Sequence, residues 1–247
     1  MKILRKISIP IINLLPINFK WKLYSTSFFR RKLRVNFNLT RSNVLTGYSK
    51  IIVVGGNDGL SFDDLFQSLD PKLIKGVVIE PSEKYFNQLK FNLKEFTGLK
   101  FLRCAIYKEN IKLKLFQLTD AGLKKLPDWG QGLGSFSKDH LLKYKGIIEE
   151  DIEFEYVEGV SFHSVVAKYS LDQVDYLQID TEGFDGEILK MIDFNNFQCK
   201  IIKFEVANLN KFEINEVANK LDDFGFKLNK IKGDMMAYSK NVNPIFY

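Results

Sequence analysis

The first chemically suggestive residues interrupt an aliphatic run at residues 51–54. They are Gly55, Gly56, Asn57 and Gly59. Glycine lets a backbone approach a ligand closely, and the free N–H groups at a following helix start attract polar or anionic atoms. Roughly twenty residues further on, the next aliphatic run ends at Glu80, where an acidic residue can bind ribose hydroxyls. Together these features indicate a cofactor that contains a nucleoside.

The spacing of the glycines selects among such cofactors. A dinucleotide site favours G-x-G-x-x-G, and Gly55, Gly56 and Gly59 do not have that spacing. The sequence also lacks the phosphate-loop motif G-x-x-x-x-G-K-[ST]. A glycine turn followed by a distant acid, without either motif, suits S-adenosylmethionine, which carries a ribose but no phosphate. The alternative is an ordinary tight turn between a strand and a helix.

A second set of polar residues follows a later aliphatic strand, residues 174–180. Asp180 and Glu182 stand at its end, and Glu205 ends the next strand. Ligands of open parallel sheets bind beyond the carboxyl ends of the strands, so these carboxylates are expected beside the glycine turn. There Asp180 and Glu182 could act as catalytic bases, or all three could bind a divalent cation. The alternative for Asp180 and Glu182 is capping of the following helix.

Residues 119–150 contain five glycines and a proline without sustained periodicity. Long irregular segments of this kind often form lids or binding loops. His140, within this segment, is a further candidate base, and an exposed loop histidine is the alternative. Trp129, Phe136 and Tyr144 could stack on a sugar or simply pack within the loop.

From residue 50 onward, strand and helix patterns alternate. The predicted strands are residues 50–55, 75–80, 99–106, 111–118, 153–160, 174–180, 200–206, 226–231 and 235–239. The predicted helices are residues 60–69, 82–95, 162–169, 184–192 and 213–224. This alternation predicts an α/β fold with a parallel sheet covered on both faces, closed by an antiparallel pair. We expect one domain over residues 49–247 with a loop insertion at 119–150.

Positive charge is concentrated at the amino terminus. Residues 1–57 contain eleven Lys or Arg and no Asp or Glu, which leaves 25 basic against 30 acidic residues in the remainder. Pro10 and Pro16 interrupt the early apolar stretch, which is too short to span a membrane and lacks the cleavage site of a signal peptide. We expect a partly helical extension at residues 1–48. Residues 1–34 would either contact an anionic membrane surface or cap the domain.

Composition limits which classes of protein and which kinds of binding site the chain can represent. With 45% hydrophobic and 27% charged residues, the chain is globular. Cys104 and Cys199 lie in apolar runs and are expected to be buried free thiols. Without a C-x-x-C motif, and with only two histidines, a zinc or histidine-rich metal site is not expected. His163 begins a predicted helix and is expected to be structural. No nucleic-acid-binding module is recognisable, so no nucleic-acid partner is expected.

Four motifs in order resemble the FkbM family of S-adenosylmethionine-dependent methyltransferases, over about residues 50–240. They are VVGGNDG, VVIEPSEKYFNQLKFNL, VDYLQIDTEGFDGEILK and IIKFEV. The resemblance implies a Rossmann-like class I methyltransferase fold, with a mostly parallel sheet and a C-terminal antiparallel edge. It also implies O-methylation, commonly of sugar or polyketide hydroxyls.

Particular residues follow from this resemblance. The cofactor-binding residues would be Gly55, Gly56, Asn57, Gly59, Glu80 and Ala105. The stretch near the transferred methyl would be Asp180, Glu182, Gly183 and Asp185. The chain departs from the family pattern at Val53, where Asp is usual, and at Gln178, where Lys is common. It also has Tyr107-Lys108 where a small residue and Asp are usual near the adenine.

The sequence therefore predicts an S-adenosylmethionine-dependent O-methyltransferase. Its acceptor would be a sugar, a glycan or another small molecule that bears a hydroxyl, and its location would be cytoplasmic or at the inner face of a membrane. Two other classes stay open: a non-catalytic relative that kept the fold, and a nicotinamide-dependent oxidoreductase, which the glycine spacing disfavours.

Overall fold

The computed structural model of the protein describes residues 27–61, 64–127 and 130–244. In chain order, the strands are β1 (Ser49–Val54), β2 (Ile74–Ile79), β3 (Leu99–Leu102), β4 (Ala105–Ile106), β5 (Lys112–Leu118), β6 (Gly134–Ser135), β7 (Ile152–Val160), β8 (Gln173–Ile179), β9 (Gln198–Glu205), β10 (Lys227–Ile231) and β11 (Asp234–Tyr238). The helices are α1 (Ser27–Val44), α2 (Glu83–Asn92), α3 (Asp120–Leu123), α4 (Lys138–Leu142), α5 (Phe162–Tyr169), α6 (Asp185–Met191) and α7 (Lys211–Asp223).

Seven strands form the main sheet, in the order β10-β11-β9-β8-β1-β2-β3. All pair in parallel except β11, which is antiparallel to both β9 and β10. The predicted parallel sheet with an antiparallel C-terminal edge is therefore confirmed. Because β1 lies between β2 and β8, the residues that follow these three strands meet at one edge of the sheet.

Helices cover both faces of the main sheet. Alternate residues of β1 belong to two different cores, and this is why the strand is aliphatic throughout. Ile52 and Val54 pack in a cluster with α5, α6 and α7. Ile51 and Val53 pack in a second cluster with α1 and α2. The main sheet is thus the middle layer of three.

A second, smaller sheet has the strand order β4-β7-β5-β6. The predicted strand at 99–106 is divided between the two sheets, because β3 pairs with β2 whereas β4 pairs with β7. The predicted strands at 111–118 and 153–160 are present as β5 and β7, and they pair with each other along their length. This sheet carries the insertion, residues 119–150, beside the edge of the main sheet.

The helix predicted at residues 60–69 is wrong. The described residues of this span form a 3₁₀ turn at Phe66–Ser68 and no α-helix. Asp58 explains part of the difference, because its carboxylate accepts hydrogen bonds from the backbone N–H groups of Leu60 and Ser61 and from the Ser61 hydroxyl. Such side-chain bonds to the backbone compete with helix formation. Leu65 and Phe66 are nevertheless buried.

Helix α1 lies within the predicted amino-terminal extension and packs on the main sheet. Leu33 and Phe37 are buried in the cluster that also contains α2. Arg41, 2% exposed, forms an ion pair of 2.8 Å with Asp64. Residues 1–26 of the extension lie outside the described residues. Among the helices that are described, none is both long and apolar enough to cross a bilayer.

Gly76 in β2 gives a test of how closely the central strands pack. Its φ is +136°, and a Cβ there would lie 1.8 Å from the Ile51 carbonyl oxygen. Gly76→Ala should lower the free energy of unfolding by about 2 kcal/mol or more, because neither backbone nor neighbour can relieve the clash cheaply. Urea denaturation measures the free energy of unfolding of the variant and of the wild type. Gly47→Ala is the control, since nothing lies within 4 Å of that position, and equal stability of the two variants would contradict the packing described.

Candidate active site

The carboxyl ends of β1, β2 and β8 border a cavity of about 460 Å³, here called the main cavity. Gly55, Glu80 and Asp180, which directly follow these strands, all line it. Ala105 lines it from β4, and His140 lines it from the insertion. Its volume is within the range of small-molecule sites. The structure thus brings into one cavity residues that the sequence assigns to the cofactor and residues that it assigns to catalysis.

A second cavity, of about 390 Å³, lies beside the main cavity. The residues that line both are Gly55, Glu80, Gly132, Asp180, Glu182 and Asn208. Gly56, Asn57 and Gly59 line the second cavity and not the main one. The two cavities therefore meet at the glycine turn and at the end of β8, and the predicted cofactor residues are divided between them.

Gly55, directly after β1, lies against the backbone of Asp180, directly after β8. Its φ is +80°, and a Cβ there would lie 1.7 Å from the Asp180 carbonyl oxygen. The N–H groups of Gly55 and Gly56 both donate to the Ile79 carbonyl. Any side chain at position 55 would therefore push β8 away. The turn ties the ends of three strands together through its own backbone.

Glu80 is 7% exposed and is held by backbone donors. Asn57 N–H donates to one carboxylate oxygen at 2.8 Å, and Ser82 N–H donates to the other at 2.9 Å. Burial raises the pKa of Glu80 to about 7. Each carboxylate oxygen has a second lone pair, so the group can still accept hydrogen bonds from a ligand in the cavity.

Two residues of this network were not predicted from the sequence. The Ser82 hydroxyl donates to Gln117 Oε1 at 3.0 Å, and Gln117 Nε2 donates to Glu155 at 2.6 Å. Ser82 and Gln117 both line the main cavity. Gln117 lies on β5 and Glu155 on β7, so only the pairing of the small sheet brings them to the end of β2.

Three carboxyl groups lie together where β8 and β9 end. Burial raises the pKa of Asp180 well above its ordinary value, and Asp185 and Glu205 add to the effect. Burial also raises the pKa values of Glu182 and Glu205, each to about 7, and neighbouring carboxylates contribute. Asp180 is exposed at its surface and lines both cavities. With pKa values of about 7, Glu182 and Glu205 are partly protonated at neutral pH and can accept or donate hydrogen bonds.

Helix capping, the alternative for Asp180 and Glu182, is not what these residues do, because the N-cap position of α6 is Phe184 and has no side-chain cap hydrogen bond. Asp185 is fully buried, and its Oδ2 accepts hydrogen bonds from the Thr181 hydroxyl and from the N–H groups of Thr181 and Gly183. Its Oδ1 accepts from Glu205 N–H. Asp185 therefore shapes the loop between β8 and α6. Asp180 and Glu182 remain directed to the cavities, and Glu182 has a φ of +53°.

His140 enters the main cavity from α4 in the insertion. A Cβ at Gly183 would lie 3.6 Å from His140 Cε1, which places the imidazole beside the loop that follows β8. Its Nε2 is buried and has no hydrogen-bond partner among the described residues. Burial, and then Lys143, lower the pKa of His140. The imidazole is therefore neutral near pH 7.

The insertion also rests directly on the glycine turn. A Cβ at Gly132, whose φ is +91°, would lie 2.0 Å from Asn57 Nδ2. Gly132 N–H donates to the Tyr85 hydroxyl at 2.8 Å. The predicted loop has its own small core, formed by Leu118, Leu133, Leu141 and Ile147. It is therefore a packed cover over the turn.

The aromatic residues of the insertion have different positions. Phe136 lines the main cavity and makes an edge contact with Phe184, with ring centroids 5.5 Å apart. Tyr107 stacks on Phe184 at 5.6 Å. Tyr144 lines the second cavity. Trp129 lies outside the described residues. Phe136 and Phe184 are thus the aromatic surfaces that a molecule in the main cavity would meet.

No group of three or more His, Cys, Asp or Glu in the described part of the chain could hold a metal ion. The divalent cation expected at Asp180, Glu182 and Glu205 therefore gains no support. Asn208 Nδ2 instead donates to Glu182 at 3.2 Å and to Glu205 at 3.0 Å. Cys104 and Cys199 are buried free thiols, as predicted.

The departures from the family pattern are accommodated by packing. Val53 is 1% exposed in the core. Gln178 is buried and accepts a hydrogen bond of 2.9 Å from the Tyr176 hydroxyl. Lys108 lies 3.6 Å from Glu187, so a cation-carboxylate pair occupies the place after Tyr107.

The strand order and the cavity at the ends of β1, β2 and β8 are those of a Rossmann-like class I methyltransferase. Residues 54–228 match the methyltransferase FkbM domain. The chain therefore belongs to the FkbM methyltransferase family, and this membership implies S-adenosylmethionine as the methyl donor.

Several solved structures are similar to the chain. An FkbM methyltransferase from Methylobacillus flagellatus is 11% identical with a TM-score of 0.45, over 77% of this chain and 43% of that one. A precorrin-6y C5,15-methyltransferase from Geobacter metallireducens is 12% identical with a TM-score of 0.40, over 87% and 90%. An S-adenosylmethionine-dependent O-methyltransferase from Thermotoga maritima is 10% identical with a TM-score of 0.41, over 83% and 64%. No curated protein sequence matches.

The carboxyl cluster makes stability depend on pH. The pKa of Glu205 rises from 4.5 to about 7 on folding, so the folded state binds the proton more tightly than the unfolded chain. Stability from this group is present at low pH and is lost as pH rises toward and through 7. Glu205→Gln should therefore raise the free energy of unfolding over the wild type at pH 8 and much less at pH 5.

Urea denaturation at the two pH values measures this difference. Glu95→Gln, at an exposed position, is the matched control and should show no such change with pH. A Glu205→Gln variant that is less stable than the wild type at pH 8 would mean that the ionised carboxylate is well paired.

Proposed function

We propose that this protein is an S-adenosylmethionine-dependent O-methyltransferase that acts on a hydroxyl of a sugar or glycan-type acceptor. The observation that carries the proposal is the main cavity itself, in which Gly55 and Glu80 face the same space as Asp180, Glu182 and His140. A nucleoside-binding edge and a set of proton acceptors thus share one enclosure of about 460 Å³.

The residues present fit this cofactor. Glu80 offers carboxylate lone pairs for ribose hydroxyls. Pro81, Ala105 and Ile106 give the same cavity an apolar wall for a base. Around Asn57 and Gly59, the second cavity can take the polar methionine part. When bound, S-adenosylmethionine supplies an electrophilic methyl group on a positively charged sulfur.

His140 is the residue best placed to activate the acceptor. A hydroxyl is a poor nucleophile unless its proton is removed, and the His140 imidazole lines the main cavity with a pKa that burial lowers. The imidazole would take the proton of the acceptor hydroxyl, and S-adenosylmethionine would supply the methyl group and leave as S-adenosylhomocysteine. Glu182, with a pKa of about 7, is the second candidate base.

The remaining groups in the main cavity suit an acceptor rich in hydroxyls. The polar side chains that line it besides the acids are Ser82, Gln117, Ser135, Ser137, His140, Lys143, Thr181 and Asn208. Phe136 and Phe184 provide apolar faces next to them. Alternating hydrogen-bond partners and aromatic faces are what a sugar ring requires, and alignment of the bound oxygen would supply much of the rate.

The proposal is tested by binding and by turnover. Calorimetric titration with S-adenosylhomocysteine should show binding, whereas titration with NAD should show none. Incubation with labelled methyl donor and a panel of cell-envelope glycans should then convert a hydroxyl to a labelled methyl ether. Alkali should not release the label from this ether. Binding of NAD alone would indicate an oxidoreductase, and binding of neither would indicate a relative that kept only the fold.

Glu80→Gln should weaken the binding of S-adenosylhomocysteine by about tenfold to a hundredfold, because hydrogen bonds to the carboxylate would be lost. Calorimetry measures the change, and thermal unfolding shows whether the variant is folded. Glu109→Gln, on the exposed surface, is the control. Wild-type affinity in a folded Glu80→Gln protein would remove Glu80 from the cofactor site.

His140→Gln should lower kcat by about a hundredfold, since general base catalysis is worth 10²–10⁴, while affinity for S-adenosylhomocysteine stays near that of the wild type. The control is His163→Gln, because His163 is exposed at the start of α5. If kcat is unchanged in His140→Gln, then Glu182→Gln becomes the variant that decides the base.

A further inference from the structure

Helix α1 has a solvent face whose composition differs from that of an ordinary exposed helix. Successive residues of a helix are about 100° apart, so Leu33, Asn36, Phe37, Thr40 and Arg41, all buried, lie on one side. The opposite side carries Arg31, Arg34, Val35, Asn38, Leu39 and Ser42. Two cations, two aliphatic side chains and two small polar residues thus form the α1 face.

The aliphatic residues of the α1 face are exposed although the helix buries Leu33 and Phe37 on its other side. Val35 is 47% exposed and Leu39 is 37% exposed. They lie four residues apart and so adjoin each other on the surface. Arg31 and Arg34 flank them toward the amino-terminal end of the helix. Basic side chains beside exposed aliphatic ones are the composition that binds an anionic lipid surface.

Charge on this part of the chain has one sign. Helix α1 contains no acidic residue, and residues 1–57 contain eleven Lys or Arg and no Asp or Glu. Clusters of Lys and Arg are attracted to anionic leaflets by about 1 kcal/mol per residue near the surface. The rest of the chain carries 25 basic and 30 acidic residues, so an anionic surface would orient the protein with this end toward it.

The sequence that precedes α1 continues the same composition. Residues 1–26 join the end of the helix at which Arg31 and Arg34 lie. They contain five Lys or Arg, no acidic residue and aliphatic residues throughout. Any chemistry that attracts the α1 face therefore also attracts the segment next to it.

We infer that the α1 face is a docking surface for an anionic lipid bilayer. Exposed aliphatic side chains favour a bilayer over nucleic acid, since contact with phosphate alone would leave Val35 and Leu39 without a role. The inference is independent of the proposed function, because α1 packs against the sheet face opposite α5, α6 and α7 and contributes no residue to the main cavity.

The full-length chain should sediment with vesicles of phosphatidylglycerol and phosphatidylcholine in equal parts, and much less with vesicles of phosphatidylcholine alone. Arg31→Gln with Arg34→Gln should lower the partition coefficient by about tenfold or more. Val35→Ser with Leu39→Ser should lower it also, and this loss should persist at high salt, which separates insertion from charge attraction. The matched control is Lys168→Gln with Lys211→Gln, which removes two exposed cations from α5 and α7.

The inference is overturned if the arginine variant binds as the wild type does while still folded by circular dichroism. It is also overturned if the protein binds neutral vesicles as strongly as anionic ones, or if the partition coefficient of the control variant falls as much as that of the arginine variant. Binding to a nucleic-acid duplex without binding to vesicles would overturn it as well. Affinity for S-adenosylhomocysteine should be unchanged in every variant, so a failure here and a failure of the proposed function give different results.

Discussion

The close approach of Gly55 to the Asp180 carbonyl is the contact on which the candidate site depends. A side-chain atom at position 55 would lie 1.7 Å from that oxygen, so the ends of β1 and β8 can meet only because the turn begins with glycine. The same turn fixes Glu80, since Asn57 N–H donates to its carboxylate. One backbone turn therefore fixes the ends of β1, β2 and β8 relative to one another at the cavity.

Around this turn the protein retains carboxyl groups that are only partly satisfied. Glu80, Glu182 and Glu205 each have a pKa raised to about 7, chiefly by burial, and buried charge without a partner costs free energy. Proteins keep such groups mainly where function requires them. The insertion, which covers the turn, brings His140 into the same cavity.

The sequence predicted the structure best where the residues of a single strand are enough to identify that strand. Apolar runs, and at the C-terminal end a turn between paired strands, predicted every strand of the main sheet. The polar residues after the parallel strands were expected at one edge because parallel strands end together. It failed at residues 60–69, where periodicity predicted a helix but Asp58 bonds locally to the backbone. It also read 99–106 as one strand, since nothing in the residues indicates that β4 leaves the main sheet for the small one.

Residue types and order by themselves determined the fold class, the family and the residues that directly follow β1, β2 and β8 at the cavity, because each depends on short patterns that chain neighbours complete. Tertiary structure alone decided which carboxylate shapes a loop and which faces a ligand, and it placed Asp185 in the first role. Tertiary structure also placed Gln117 within hydrogen-bond distance of Ser82 and packed Gly132 against Asn57. These contacts join segments far apart in the chain, and only the packing of two sheets and an insertion fixes their distances.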